Sequence, residues 1–484
     1  MKGDIGVYGL AVMGENLARN IESRGYTVSI LNRSVKAVSE FMEKKGKGRN
    51  FIPTYDMAEF AASLTRPRKI MMMIKAGSVV DSAIENLLPH LEKGDILIDG
   101  GNSNYEDSER RTKSLYEKGI YFVGSGVSGG ELGALYGPSM MPGGAKEAWP
   151  EISGIFRDIA AKAGAAKDES CTAWIGNGGA GHYVKTIHNG IEYGDMQLIC
   201  EIYAVLRDVL KLDNAEMADV FTRWNEGVLK SYLVEITAQI LAEKDGDGSY
   251  LVDSILDTAM QKGTGKWTVM SALEEGQPVS LITEAVYARA LSFLKDERME
   301  ASCLVEQPEK PDVDREKAVA ALEKALYAAK IVSYAQGFSL LSTVSERYSW
   351  ELNLGEIASI WRGGCIIRSA FLDDIRKAYD RNGKLKNLMV DDFFHRELAA
   401  SIGGLRQTVV LGVNSGVAVP ALSAALSYYD GYHTAKLPAN LLQAQRDYFG
   451  AHMFERTDCA RGEFFHHDWS GEGGDTASTV YQSS

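Results

Sequence analysis

Six short apolar runs, separated by helical patterns, occupy the first 175 residues: DIGVYGL, TVSILN, KIMMMI, DILIDGG, IYFVGSG and CTAWIG. Such runs, without polar alternation, read as strands buried on both faces. Between them lie helical stretches such as 15–24 and 35–45. Parallel neighbours cannot be joined by a tight turn and need a crossover, which a helix supplies. The alternation therefore predicts an α/β Rossmann-like, doubly wound sheet with helices on both faces, spanning residues 1–176.

Strand signals then largely stop. From Gly181 to about Asp430 the pattern is helical, interrupted by loops at 244–249 and 307–314, which predicts a large all-α domain over 177–437. Inside it, IEYGDMQLI (191–199) can be laid over VSYAQGFSL (332–340), and LDNAEMADVF (212–221) over LNLGEIASIW (352–361). A shared offset of about 140 residues points to an internal helical duplication rather than a short solenoid repeat. The C-terminal tail, 438–484, ends in DWSGEGGDTASTVYQSS, which is too polar to pack by itself. It is expected to be disordered or held by a neighbouring subunit.

With 484 residues and a net charge of -13, general binding to nucleic acid or to an anionic membrane is not expected. The five cysteines (Cys171, Cys200, Cys303, Cys365, Cys459) are scattered and form no CxxC pair. That usage suggests reduced thiols in a cytoplasmic protein and no zinc site. IGVYGLAVMG lacks the basic flank and cleavage pattern of a signal sequence. The weakly polar stretch 409–426 is broken by Gly412, Asn414, Gly416 and Pro420, so no membrane span is expected.

After the first run comes GLAVMG, residues 9–14, opening into ENLARNIESRG. A dinucleotide-binding turn needs a tight bend, close backbone approach to a pyrophosphate, and a helix N-terminus facing the phosphates. Ala11 stands where the fingerprint has its middle glycine, so the strand–turn–helix context carries the reading. At the end of the second run, where an NAD site places an acid for the ribose hydroxyl, the chain has Asn32, Arg33 and Ser34. An arginine binds a 2′-phosphate that an acid would repel, which favours NADP.

GHYVKTIHNGIEYG, residues 181–194, places Lys185, His188, Asn189, Glu192 and Tyr193 at i, i+3, i+4, i+7 and i+8. On a helix these five side chains share an arc of roughly 140°, with Val184, Ile187 and Ile191 opposite. The arc is either a solvated face or the wall of a cleft. Asn, His and Tyr are poor choices for a merely solubilising helix. At the duplicated positions Lys185, His188, Asn189 and Glu192 become Leu326, Ala329, Lys330 and Ser333. Tyr193 keeps its tyrosine as Tyr334, which also fits a packing role. A lysine made a base by burial, beside a carboxylic acid kept protonated, forms a plausible acid–base pair. GVSGG (126–130), DGGNSN (99–104), KGTGKW (262–267), Arg289 and RDYFGAH (446–452) offer further polar groups. Taken singly, each also fits a structural or solvated role.

Together GLAVMG, NRS, IKAG, DGGN, GVSGGE, GPSMMPGG, GAGHYVKTIHNGIEYGDMQLI, QKGTGKW and QAQRDYFGAHMFE resemble, in the same order, the 6-phosphogluconate dehydrogenase family. These are the decarboxylating enzymes of the pentose phosphate pathway, and the resemblance covers nearly the whole chain. It implies that Lys185 is the general base, and then acid, of an NADP-linked oxidative decarboxylation. It implies that Glu192 is the acid that protonates C1 of the resulting enediol. Asn102, Ser128, Gly129, Gly130, His188 and Asn189 match sugar-acid positions, and Tyr193, Lys262 and Arg289 match phosphate positions. Arg446 and His452 match residues that the family's tail supplies to the partner of a homodimer. Gly9, Leu10, Ala11, Val12, Met13, Gly14, Asn32, Arg33, Ser34, Lys75, Ala76, Gly77 and Asn102 match cofactor positions. No metal is implied. One departure is that many relatives carry a lysine where this chain has Ala37, whereas its own lysine, Lys36, falls one residue earlier.

Overall fold

The alternation in the first part of the chain closes into one eight-stranded sheet in the computed structural model, which describes residues 2–306 and 308–473. Its strands are β1 (Ile5–Tyr8), β2 (Val28–Leu31), β3 (Phe51–Pro53), β4 (Lys69–Met72), β5 (Ile96–Asp99), β6 (Tyr121–Ser128), β7 (Ser139–Gly144) and a two-residue edge, Gly176–Asn177. The spatial order is edge, β7, β6, β5, β4, β1, β2, β3. Helices α1 (Val12–Ser23), α2 (Val35–Phe41), α3 (Met57–Ala62), α4 (Ser78–Leu87), α5 (Tyr105–Tyr116), α6 (Gly130–Tyr136) and α7 (Trp149–Ile159) join them. Strands β1 to β6 pair in parallel, and every residue of β2 and β5 is buried, as expected of a sheet covered on both faces. The strand order reverses beside β1, which lies between β2 and β4, so a crevice opens beyond the carboxyl ends of β1 and β4.

Two strand expectations need correction. CTAWIG is not a strand: only its Thr172 bridges to Met140, and Gly176 starts the edge strand. The strand in that region is β7, which runs antiparallel to β6 from Ser128↔Ser139 to Val123↔Gly144. Its sequence, SMMPGG, reads as a loop because proline and glycine are depleted from sheet interiors. Burial of all six residues overrides that local preference. The second omission is β3, which is three residues long and ends in proline, too short to give a periodic signal.

The remainder is helical: α8 (Ala180–Asp208), α9 (Asn214–Trp224), α10 (Tyr232–Ala242), α11 (Thr264–Glu274), α12 (Ser280–Phe293), α13 (Lys295–Ser302), α14 (Arg315–Arg347), α15 (Leu354–Ile360), α16 (Leu372–Arg381), α17 (Asp392–Asn414), α18 (Pro420–Tyr432) and α19 (Ala439–Gly450). The series α8 to α12 is repeated by α14 to α18, as the duplicated sequence predicts. The long helices α8 and α14 pack against each other, as do α12 and α18, and one hydrophobic core runs through both copies. In each copy a left-handed glycine, Gly276 or Gly416, ends the turn before the last helix. Beyond α18 the chain leaves this core. Helix α19 buries only Asp447 and is followed by a small hairpin, Phe454–Glu455 with Phe464–Phe465. The final residues of the polar tail, 474–484, lie outside the described residues. Among those described, no helix is long and apolar enough to cross a membrane.

Candidate active site

The nucleotide turn follows from the end of β1. Gly9 has φ 105°, and the Leu10 N–H donates to Asn32 Oδ1 at 3.1 Å, so the turn is tied to the end of β2. Ala11 is the N-cap of α1 and gives it no side-chain cap, which leaves the first helical N–H groups available to a ligand. At Gly14 a Cβ would lie 2.0 Å from the Gly9 carbonyl oxygen, so only glycine lets the helix close onto the turn. Gly9, Ala11, Val12, Met13, Gly14, Asn32, Arg33, Lys75 and Asn102 line one cavity of about 650 Å³. Leu10 instead turns into the core, and the Ser34 Oγ accepts from the Ala37 N–H as cap of α2. Ala76 is half-buried and directly precedes Gly77, the cap residue of α4. Arg33 and Lys75 form no ion pair among the described residues, whereas Lys36 reaches Glu40 at 3.5 Å.

The loop carrying Asn102 is held from below. The buried Asp99 accepts from the Gly101 N–H at 3.0 Å and the Ser103 hydroxyl at 2.6 Å. Arg111, also buried, donates to Asp81 at 2.9 Å and to the Gly77 carbonyl at 3.0 Å, and it lies 3.4 Å from Asp99. One guanidinium thus joins the two loops that present Lys75 and Asn102.

Beside this cleft runs α8, pressed against β6. At Gly126 a Cβ would lie 2.4 Å from the Cβ of Lys185, so a glycine strand is needed for the helix to seat. The polar arc faces into the protein: Lys185, His188, Asn189 and Tyr193 are buried and Glu192 is partly exposed. Lys185 Nζ lies 3.3 Å from His188 Nδ1, which is 3.1 Å from Asn189 Oδ1 and 3.8 Å from Glu192 Oε2. His188 Nε2 lies 3.2 Å from the Ser128 hydroxyl at the end of β6. Burial lowers the Lys185 pKa from its ordinary value, opposed by the nearby Glu192 charge. Burial raises that of Glu192, opposed by Lys185 and Arg289. His188 is held well below its usual range by burial and then by Lys185, so its ring is neutral. A desolvated lysine inclined to lose its proton and a carboxylic acid inclined to keep it can serve as base and acid.

Residues 4–176 match the family described as NAD binding domain of 6-phosphogluconate dehydrogenase, and residues 181–469 match 6-phosphogluconate dehydrogenase, C-terminal domain. The chain belongs to the 6-phosphogluconate dehydrogenase family. It is 53% identical over 488 residues to the decarboxylating 6-phosphogluconate dehydrogenase of Dictyostelium discoideum, covering 99% of each chain. It is 56% identical over 471 residues to the NADP(+)-dependent, decarboxylating enzyme of Bacillus subtilis, covering 97% of this chain and 99% of that one. The solved Plasmodium falciparum 6-phosphogluconate dehydrogenase, described in apo form and with NADP+ or 6-phosphogluconate, is similar with TM-score 0.92 and 46% identity over 96% of this chain and 100% of that one.

In this member of the 6-phosphogluconate dehydrogenase family the remaining sequence-derived positions fall into two groups. Gly129, with φ 118°, caps α6, and a Cβ there would meet the Gly364 carbonyl at 2.5 Å; Gly130 follows at φ 63°. The Arg289 guanidinium stacks 3.5 Å over the Tyr193 ring, while Lys262 is exposed just before α11. Of these, Arg289 is tied to the α8 cluster by a contact, through Tyr193. Arg446 and His452 belong to the tail, where Arg446 donates to Gln443 at 3.0 Å and the His452 ring meets Phe449 edge-on. Sequence reasoning passed over Trp361, whose ring packs edge-on to His188 at 5.5 Å, and the buried Cys365 close by. Burial pushes the Cys365 thiol up to about 12, so it stays neutral beside Lys185. Trp361 ends the LNLGEIASIW repeat, and its bulk at a duplicated position was the available signal.

Proposed function

We propose that this chain oxidises and decarboxylates 6-phosphogluconate to ribulose 5-phosphate, with NADP as hydride acceptor. The observation that carries the reading is the cluster of buried Lys185 and His188 with the partly exposed Glu192 beside the dinucleotide cleft. Family membership gives the reaction, and the cluster supplies groups of the required proton affinity.

NADP fits the cavity because Gly14 lets α1 close onto the Gly9 turn, the uncapped N-terminus of α1 lines the cavity, and Arg33 and Lys75, which form no ion pair among the described residues, line it as well. Residues Gly9 to Gly14 would hold the pyrophosphate, Arg33 the 2′-phosphate, and Lys75 with Asn102 the nicotinamide side. Bound NADP supplies the acceptor for the hydride leaving C3 of the sugar acid. Neutral Lys185 takes the proton of the C3 hydroxyl. As lysinium it then hydrogen-bonds the new C3 carbonyl and returns the proton to that oxygen as the bond to the carboxylate breaks. The carbonyl acts as the electron sink, so carbon dioxide leaves and an enediol remains. Glu192 gives its proton to the carbon that carried the carboxylate, C1 of the enediol. Lys185, neutral again, takes the proton of the adjacent enediol hydroxyl, the former C3 oxygen, and so leaves the ketone of ribulose 5-phosphate.

Neutral His188 hydrogen-bonds the sugar acid without adding a charge that would disturb Lys185. Asn102, Ser128, Gly129, Gly130 and Asn189 position the rest of it. Tyr193, Lys262 and Arg289 face its phosphate, together with Arg446 and His452 delivered from the tail of a second subunit in a homodimer. In this reading residues 1–176 bind the nucleotide, 177–437 bind substrate and pair subunits, and 438–484 reach across. The protein works in the cytoplasm.

The test follows NADPH absorbance with 6-phosphogluconate and, in parallel, unphosphorylated gluconate. Turnover should need the phosphate, be abolished by Lys185→Ala, and require more NADP in Arg33→Ala. Nucleotide binding without turnover of either acid would reject the enzyme reading.

A further inference from the structure

The described tail is organised around one carboxylate. Asp447 is 0% exposed, although its neighbours on α19, Tyr448 and Phe449, are 64% and 73% exposed. Its Oδ1 accepts from the Met453 N–H at 2.9 Å and from His466 Nδ1 at 2.9 Å. Its Oδ2 accepts from the His467 N–H at 3.0 Å and the Trp469 indole N–H at 2.9 Å. Burial works against the ionised carboxylate, but the hydrogen bonds from His467, His466, Trp469 and Met453 win and hold its pKa near about 2. Four donors, at Met453 and within the run 466–469, fold the described part of the tail back over its own helix.

His452 sits at the fold-back. The residues on either side, Ala451 and Met453, have φ 48° and 53°, a left-handed conformation that L residues rarely adopt. Such a conformation persists only where surrounding contacts dictate it. Here Met453 is held at both ends: its N–H by Asp447 and its carbonyl by the Gln443 side-chain amide. The same Gln443 accepts from Arg446 at 3.0 Å. The Arg446 guanidinium and the His452 ring are therefore fixed relative to each other by a network that Asp447 anchors.

We propose that Asp447 is a positioning residue that folds the tail into a preformed clamp, so that Arg446 and His452 enter the neighbouring subunit's substrate cleft together. The inference rests on the proposed reading in which the tail serves a second subunit. It goes further by naming the side chain that makes the tail competent and that touches no substrate itself. Because α19 stands outside the main core, loss of the clamp should leave the body of each subunit folded.

The experiment uses the full-length protein. Asp447→Asn should raise KM for 6-phosphogluconate at least tenfold while KM for NADP stays within twofold. Asp447→Asn mixed and refolded with Lys185→Ala should regain activity at normal KM, because each hybrid dimer holds one site with an intact Lys185 and a wild-type tail. Arg446→Ala mixed with Lys185→Ala is the control for the underlying reading. If that control regains activity and Asp447→Asn alone has wild-type KM, the clamp is rejected and the shared tail stands. If neither mixture regains activity, the shared tail fails, and the clamp with it. Should Asp447→Asn prove insoluble, Trp469→Phe, which deletes one donor, must raise KM for 6-phosphogluconate at least threefold; an unchanged KM overturns the proposal.

Discussion

Lys185 and Glu192 lie two turns apart on one helix, and burial moves their proton affinities in opposite directions. A base must be neutral, so its contribution to rate appears as pH rises through the lowered lysine pKa. An acid must be protonated, so its contribution is lost as pH rises through the raised glutamate pKa. Glu192→Gln should therefore abolish the decline of kcat on the alkaline side, keep the rise on the acid side, and lower kcat by about 10²–10⁴. A pH–rate profile that keeps its alkaline limb in this variant would assign that limb to another group. At the other end of the cleft, Arg33 argues for the 2′-phosphate from the sequence, and its guanidinium forms no ion pair among the described residues. A charge-assisted hydrogen bond is worth about 1.5–3 kcal/mol, so Arg33→Ala should narrow the NADP-over-NAD preference in kcat/KM by roughly 10- to 150-fold. Measuring both coenzymes in the variant and the parent decides this, and an unchanged ratio would move the selectivity elsewhere.

At the scale of elements, the duplicated helices show why some of the site was legible and some was not. Periodicity exposed the polar arc of α8 because five polar groups recur at a spacing that an apolar stripe ordinarily takes, opposite Val184, Ile187 and Ile191. Their burial could not be read locally, since it depends on Gly126 of β6 and on Trp361, distant in sequence. Strand β7 was hidden for the same reason, its proline and glycines being acceptable only because the sheet encloses them. The duplicate α14 looked like a copy stripped of function, yet its Lys330, at the position of Asn189, is buried and donates to Asp195 on α8 at 2.5 Å. Asp195 also accepts from Tyr334, at the position of Tyr193, and lies one turn beyond Glu192. The copy thus carries, in place of part of the α8 polar arc, a buried ion pair that ties the two long helices together. Removing one partner of such a pair strands a charge, which costs about 3–5 kcal/mol, whereas replacing both with apolar groups costs much less. Lys330→Met should therefore lower Tm more than the double variant Asp195→Leu/Lys330→Met. A calorimetric series in which the double variant is the less stable would show the pair to be a net stabiliser in its own right.

At the scale of the whole molecule, the proposed homodimer would have to cover apolar surface that a single chain leaves exposed, and α12 carries the plainest case. One of its faces carries Arg289, stacked on Tyr193 at the candidate site. Away from that face, Tyr287 and Leu291, with the C-cap residue Leu294, recur at i, i+4 and i+7 and are 63%, 54% and 44% exposed. A helical apolar stripe of that spacing ordinarily faces a core. Among the described residues no core reaches it, and α19 likewise leaves Leu441, Leu442, Tyr448 and Phe449 exposed. Contiguous apolar surface on a soluble protein marks an interface, and in the proposed homodimer a second copy covers both elements. The two surfaces are then coupled: the α12 stripe brings the subunits together, and only in that assembly can each tail reach the other's cleft. Tyr287→Glu/Leu291→Glu places two carboxylates in the stripe without touching the nucleotide turn or the α8 cluster. Light scattering should give a monomer mass, NADP should still bind, and turnover of 6-phosphogluconate should fall at least a hundredfold, because Arg446 and His452 no longer arrive. A monomer of this variant with undiminished activity would show that each chain completes its own site, and the tail would have to be read as folding back onto its own subunit.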